Sequence, residues 1–439
     1  MASDAARSAA SGFHEIVERD VLAAMRKPSL LYFAALAVTS LCFVVGLSLW
    51  GYQMKRGMGV AGITHPVGWG VYITNFVFWV GIAHSGTLIS AVLFLFRAKF
   101  RSKFNRSAEA MTVFAVMTAG LFPLIHLGRS WFFYWLIPYP NQRLIWTNFK
   151  SPLMWDVFAV TTYLIVSIVF FYTGMIPDLA VVKRWASGVR KWLYSALSLG
   201  WKGTDSQWRH YNELYLMLAA FATPLVVSVH SVVSWDFAMS ILPGWHTTIF
   251  APYFVAGAIF SGTAMVITLV APMRRIFSLE RYITADHFEA IAKILLFTSL
   301  IVSYAYVVEI SLAFYGHNIF EKTEFMYRMF GDYTVLFWMM IFCNSLLPLT
   351  LFVRRLRRSI GYLFAVSIFV NVGMWLERFV IIVTTLAKDY TPYAWGTYRP
   401  TFVEIGITIG SFGLFFTLFL IFVKVLPILS ITELKEEGR

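Results

Sequence analysis

Ten stretches of the chain are apolar almost without interruption, over roughly 28–50, 70–97, 107–128, 152–176, 211–234, 248–273, 286–315, 333–353, 359–386 and 401–426. A helix needs about 20 residues to cross a hydrocarbon layer, and every stretch reaches that length. They are apolar nearly all round, unlike the one-sided helices on the surface of a water-soluble domain. The pattern predicts an all-α polytopic membrane protein, because a helix satisfies its own backbone hydrogen bonds in lipid. It divides the chain into a polar N-terminal segment (1–27), an integral membrane domain (28–426) and a short polar tail (427–439). The first apolar run is too long for a secretory signal core, so it reads as a retained helix.

Composition agrees. Apolar residues make up 59% and charged residues 13%, with a mean hydropathy of +0.68, whereas soluble proteins carry about 25% charged residues. This excludes a soluble enzyme and a disordered chain. A net charge of +13 would suggest nucleic acid for a soluble protein. Here the charges follow the connections. With the N-terminus inside, 25 of the 36 Lys and Arg fall in inner segments and nine in outer loops. Both termini are therefore expected on the cytoplasmic side, with lipids and no nucleic acid as contacts. Cys42 and Cys343 both lie in apolar runs, and there is no C-x-x-C. The chain has no means of its own to hold an iron–sulfur cluster or a c-type haem.

Two connections have distinct character. The inner loop 177–210 is basic and aromatic, as an interfacial helix anchored on anionic lipid would be. The outer segment 131–146 is aromatic and Pro-containing, and predicts an interfacial hairpin. A short repeat is also present. Residues 78–87 (FWVGIAHSGT) align with 254–263 (FVAGAIFSGT), pairing Gly81 with Gly257 and Ser85-Gly86-Thr87 with Ser261-Gly262-Thr263. It predicts two four-helix bundles, spans two to five and six to nine, flanked by spans one and ten, with small residues allowing close approach.

Ionisable groups inside spans are costly and mark function or packing pairs. His126 ends span three, with Arg129 on the same face. Asp156 lies in the first turn of span four, after Ser151 as cap and Pro152 as first residue. His230 and Asp236 close span five. The first bundle thus collects two His, two Asp and an Arg near the outer face. One chemistry suited to that set is quinol oxidation, in which a neutral imidazole takes one proton and a carboxylate engages the second hydroxyl. Trp131, Trp135 and Trp155 would wall the ring. The alternative is an Asp–His or Asp–Arg pair tying spans three and four together. His84 is mid-membrane, without an evident partner at its depth; His126 and His230 are the pair nearest in height for a haem. In the second bundle Lys293, Tyr304, Glu309, Glu377 and Arg378 form a polar set. Glu309 and Arg378 are placed for an ion pair or a proton path, whereas Glu377 and Arg378, as neighbours, should diverge. Glu404 and Glu213 are expected to be solvated.

The block GLFPLIHLGRSWFFYWLIPYPNQRLIWTNFKSPLMWD (120–156) resembles the NrfD/polysulfide-reductase membrane subunits, and more closely the NrfD-like C subunit of bacterial alternative complex III. The segments 65–91 and 391–404 extend the resemblance. It implies a subunit of the bacterial inner membrane with no haem, iron–sulfur cluster or metal. Such a subunit binds and oxidises menaquinol near the periplasmic face. It passes electrons to an iron–sulfur subunit, with multihaem cytochrome c subunits and a second NrfD-like subunit as further partners. By resemblance His126 and Asp156 fall on the quinol pair, with Arg129 and Trp155 beside them. His84, His230, Asp236, Glu309 and Arg378 become candidates for proton transfer. The rivals are the second NrfD-like subunit itself, the membrane anchor of a molybdenum-containing polysulfide-type reductase, a secondary transporter built on the repeat, and a haem b protein.

Overall fold

The computed structural model describes residues 2–25, 28–137 and 149–437, and contains no strand among them. Its helices are α1 (Ala2–Ala23), α2 (Leu30–Arg56), α3 (Val71–Leu95), α4 (Asn105–His126), α5 (Pro152–Trp185), α6 (Gly188–Leu197), α7 (Asp205–Ala238), α8 (Phe250–Ile276), α9 (Ala285–Tyr315), α10 (Ile319–Phe330), α11 (Thr334–Phe352), α12 (Ile360–Ala387), α13 (Phe402–Val425) and α14 (Ile431–Glu437). Ten are long and apolar enough to cross a membrane: α2, α3, α4, α5, α7, α8, α9, α11, α12 and α13. These are the ten expected spans.

Three of them run further than their apolar stretch. The helix α5 continues to Trp185 because Asp178 is fully buried and ion-paired with Arg106 of α4 at 2.9 Å. Likewise α7 starts at Asp205, where Thr204 and Gln207 form a reciprocal capping box. At its C-terminal end α2 extends to Arg56, ending on Lys55 and Arg56, which suit the negative end of the helix dipole. The interfacial helix expected in 177–210 is α6, with Val189 and Trp192 largely exposed. Of the expected aromatic hairpin, Ser130–Leu136 forms a 3₁₀ turn; residues 138–146 lie outside the described residues.

Ten crossings return the chain to the face it started from. There α1 and α14 meet through an ion pair between Glu18 and Lys435. Tyr282 adds a hydrogen bond to Asp20 at 2.9 Å. We call this the termini face.

The two bundles, α3–α4–α5–α7 and α8–α9–α11–α12, join through α3 and α8. The repeated residues are the ones that meet. The Ser85 hydroxyl donates to Ile259 O at 2.6 Å and lies 3.1 Å from Thr263 Oγ1. A methyl at Gly262 would stand 2.6 Å from Ile82 O. The outer pair α2 and α13 crosses as tightly, with Gly46 against Gly410. It is fastened to the first bundle by Asn75–Thr408 (2.8 Å) and by Trp79 Nε1 donating to Ser411 (3.0 Å).

Three spans contain a π-helical turn: Leu88–Val92, Phe342–Leu346 and Val380–Thr384. A wide turn frees carbonyls that lipid cannot satisfy. Side chains answer in two of the three: Ser299 donates to Asn344 O (2.8 Å) and Trp245 to Ile381 O (2.7 Å).

Replacing Gly262 by Val should lower stability by about 1–3 kcal/mol through overpacking. Gly51→Ala has free space around it and should be neutral. Detergent-denaturation curves of the two variants test the difference.

Candidate functional site

On the face opposite the termini, α3, α4, α5, the end of α7 and the Ser130–Leu136 turn enclose a cavity of about 450 Å³. Its polar groups are His126, Asp156, Asp236 and the Thr161 hydroxyl; most of the rest is apolar, including Phe76 and Phe133. Each polar group is placed by local structure. His126 is the last residue of α4, and the chain then reverses through Gly128 at φ +71°. A methyl at Gly128 would stand 2.6 Å from Met58 Cγ. The buried Gln53 of α2 donates to Ile125 O at 2.9 Å, satisfying a terminal carbonyl of α4 beside the imidazole. Tyr72 in turn donates to Gln53. Pro152 opens α5 as expected, although the Ser151 hydroxyl makes no cap bond. Asp156 sits one turn in and is 7% exposed.

Asp156 and Asp236, from α5 and the end of α7, face the same cavity. The Oδ1 atoms of both, and Nδ1 of His126, find no partner among the described residues. Buried polar atoms are normally paired. The cavity therefore presents an apolar slot whose free hydrogen-bonding atoms sit on an imidazole and two carboxyls.

Four expected site residues stand outside this lining. Arg129, Trp131 and Trp135 are exposed, the two tryptophans because the 3₁₀ turn directs Phe133 and Leu136 to the slot instead. Trp155 donates to Phe149 O at 2.7 Å and packs edge-on against Trp235.

His84 and His230 correct the sequence reading. They lie deep in the first bundle with ring centroids 4.4 Å apart, both essentially buried. His84 thus has a partner, and His230 pairs with it rather than with His126. Heights along separate helices could not reveal this, because the partner is set by how far α7 is shifted against α3. The spacing is too short for the two rings to be axial ligands of one haem iron. His84 Nδ1 donates to Val80 O (2.8 Å), leaving Nε2 free of partners among the described residues, as are both nitrogens of His230. The Tyr163 ring is 5.3 Å from His84.

In the second bundle the expected Glu309–Arg378 pair is replaced by Glu377–Arg378 at 2.9 Å. Adjacent helix positions diverge, yet the long arginine folds back. Its guanidinium also covers the Phe254 ring at 4.3 Å, and Phe254 packs on His230. Tyr306 donates to Glu377, and Asn344 to Tyr306 at 2.9 Å. A polar column thus runs from Tyr163 through His84 and His230 to Arg378, Glu377 and Tyr306, interrupted by Phe254. Lys293 and Tyr304 are exposed and leave the polar set. Glu404 is not solvated but fully buried, accepting from Tyr398 (2.6 Å), Gly62 N (2.7 Å) and Thr401 N (2.9 Å); Glu213 is exposed.

The sequence reading missed two buried ion clusters. Arg106 joins Glu109 and Asp178, both at 2.9 Å. Arg328 pairs with Glu324, and both hydrogen-bond Thr384 and Thr385 of α12. Glu324 and Arg328 lie in a loop by hydropathy, and only their i,i+4 spacing hints at the helix α10. Burial pushes the Glu324 carboxyl above its usual range, against the opposing pull of Arg328.

The second bundle contains the counterpart of the first cavity. Equivalent elements (α8, α9, α10, α11 and α12) surround a space of only about 20 Å³, lined by Tyr253, Glu309 and Arg328 among others. In place of the turn at 130–136 stands α10, whose Phe325 and Arg328 fill the room. Glu309 Oε1 has no partner among the described residues.

The architecture and the cavity define a multi-pass helical membrane protein with an apolar, carboxyl- and imidazole-bearing pocket close to one membrane face. The chain belongs to the family described as polysulphide reductase, NrfD, whose model matches residues 59–388. It is similar to the putative dimethyl sulfoxide reductase membrane C subunit of Halobacterium salinarum, 28% identical over 414 residues, which cover 88% of this chain and 90% of the relative. The selenate reductase C subunit of Mesobacillus selenatarsenatis is 22% identical over 91% of this chain and 94% of its own length. A shorter match, 23% identical over 32% of this chain and 34% of the relative, is to the Hdr-like menaquinol oxidoreductase integral membrane subunit of Archaeoglobus fulgidus. Among the described residues no cluster of three or more His, Cys, Asp or Glu is arranged to hold a metal.

Arg328→Met strands the Glu324 charge and should cost about 3–5 kcal/mol of stability. Lys293→Met, at an exposed pair, should cost far less. Denaturation midpoints of the two variants decide the comparison.

Proposed function

We propose that the chain is the quinol-binding and quinol-oxidising membrane subunit of a respiratory oxidoreductase complex. The observation that carries this is the 450 Å³ apolar slot with His126, Asp156 and Asp236 on its wall and their free atoms unpaired among the described residues. Its volume falls in the range of small-molecule sites, roughly 300–1,000 Å³. A hydroquinone ring is flat and apolar with a hydroxyl at each end, which suits such a slot.

Oxidation of one quinol to quinone releases two protons and two electrons. The neutral His126 imidazole accepts one proton. A carboxylate of Asp156 or Asp236 accepts the second. The electrons leave towards an iron–sulfur subunit seated over the pocket. With the termini face taken as cytoplasmic, that partner is periplasmic and the membrane is the bacterial inner membrane. His84, His230, Arg378 and Glu309 supply groups for proton movement away from the pocket. Menaquinol is the form favoured by the resemblance of block 120–156 and by the name of the Archaeoglobus relative.

Two assignments of the parent complex follow from separate observations. The relatives that match along most of their length are named as C subunits of dimethyl sulfoxide and selenate reductases, which favours the membrane anchor of a terminal reductase of that kind. The resemblance of block 120–156 favours alternative complex III, with multihaem cytochrome c subunits and a second NrfD-like subunit. Proteins that co-purify with the tagged chain separate the two.

His126→Ala and Asp156→Asn should each slow quinol-dependent electron transfer in the intact complex by about 10²–10⁴-fold, the usual worth of a positioned acid or base, with assembly preserved. Arg129→Ala, outside the slot, should leave the rate near wild type. Wild-type turnover in both pocket variants rejects the site.

A further inference from the structure

The connection between α3 and α4 places Arg97, Lys99, Arg101 and Lys103 within seven residues, on the termini face and away from the quinol slot. All four line one cavity of about 690 Å³, together with Phe94, His287 and two α14 carboxylates, Glu433 and Glu436, so the cations outnumber the carboxylates four to two.

Three features make this more than a basic loop. Arg101 is 9% exposed, with its guanidinium over the Phe94 ring at 4.6 Å. Its Nη2 donates to Glu433 at 3.1 Å, while Nη1 finds no partner among the described residues. Arg97 occupies the left-handed region, at φ +53°. Ala98 N donates to Leu93 O and Arg97 N to Phe94 O, both at 2.9 Å. This is the helix ending that glycine accommodates at least cost, yet the position carries a long cation. Next to it, Phe96 is 79% exposed at the end of a membrane span, so an aromatic ring faces the acyl region beside the cations.

We propose that this pocket binds a phosphate anion, supplied by the headgroup of an anionic phospholipid. Arg97 and Lys99 are exposed at the mouth. Arg101 forms the wall, already stacked and with one donor free. The lipid chains leave along the Phe96 side. Basic pockets at the ends of membrane helices are suited to such headgroups, and each Lys or Arg at the surface contributes about 1 kcal/mol. A soluble phosphate presents the same anion without the chains.

The test uses the full chain extracted in mild detergent and examined by native mass spectrometry with added phosphatidylglycerol or phosphatidylcholine. Wild type should retain phosphatidylglycerol in preference to phosphatidylcholine. The double variant Arg97→Gly, Lys99→Gln should lose about fivefold in retention for each cation removed. Arg97→Gly relieves the left-handed strain, so its denaturation midpoint should not fall; a loss of binding then cannot be attributed to unfolding. A second arm adds inorganic phosphate. If phosphate binds wild type but not the double variant while phosphatidylglycerol is not retained, the anion site stands and its ligand is soluble. Equal retention of the two lipids with no phosphate binding, or retention unchanged in the double variant, overturns the proposal.

Discussion

The close crossing of α3 and α8 is the contact on which the molecule turns. Two membrane helices have no hydrophobic effect to drive them together, since lipid is as apolar as they are. Packing and short hydrogen bonds must do it, and here Ser85, Thr263 and Gly262 supply both. Because the two helices touch along their small residues, the side chains flanking that seam become neighbours. His84 on one side and Phe254 on the other bring the imidazole pair and the Arg378 guanidinium into one polar column. A bulkier seam would separate the bundles and break that succession.

The same seam relates two pockets in matching positions of the two bundles, alike in surroundings and different in lining. Each bundle surrounds a space with its four helices and the connection between its second and third. In the first bundle the described part of that connection includes the aromatic turn at 130–136, and a wide slot remains among the described residues. In the second it is α10, tied down by Arg328, Glu324 and two α12 threonines, and the room is consumed. Among the described residues, Phe325 and Arg328 of α10 line what little space the second bundle keeps.

Much of this was legible in the residues. The ten spans follow from apolar length alone, and the two bundles from a ten-residue alignment that pairs Gly81 with Gly257 and one SGT with the other. His126, Asp156 and Asp236 could be grouped because each lies at a helix end near one face, where height is readable. Deeper in the membrane the reading weakened. His84 and His230 pair through the relative shift of α3 and α7, which no single helix records. Arg378 chose its sequence neighbour over Glu309 because a long flexible side chain reaches back past the direction of its own Cβ. Glu404 looked solvated at a span end, yet its position in a capping box turned it inward. Arg106 and Asp178 were hidden because hydropathy assigns charges near span ends to water.

Gln53 lends the outer helix pair an influence beyond lipid contact. It belongs to α2, outside both bundles, and its amide finishes α4 one residue before the imidazole. The tilt of α2 and α13 responds to how thick the surrounding hydrocarbon is. A change in that tilt would reach the rim of the pocket through the Gln53 amide, alongside the Asn75–Thr408 and Trp79–Ser411 bonds.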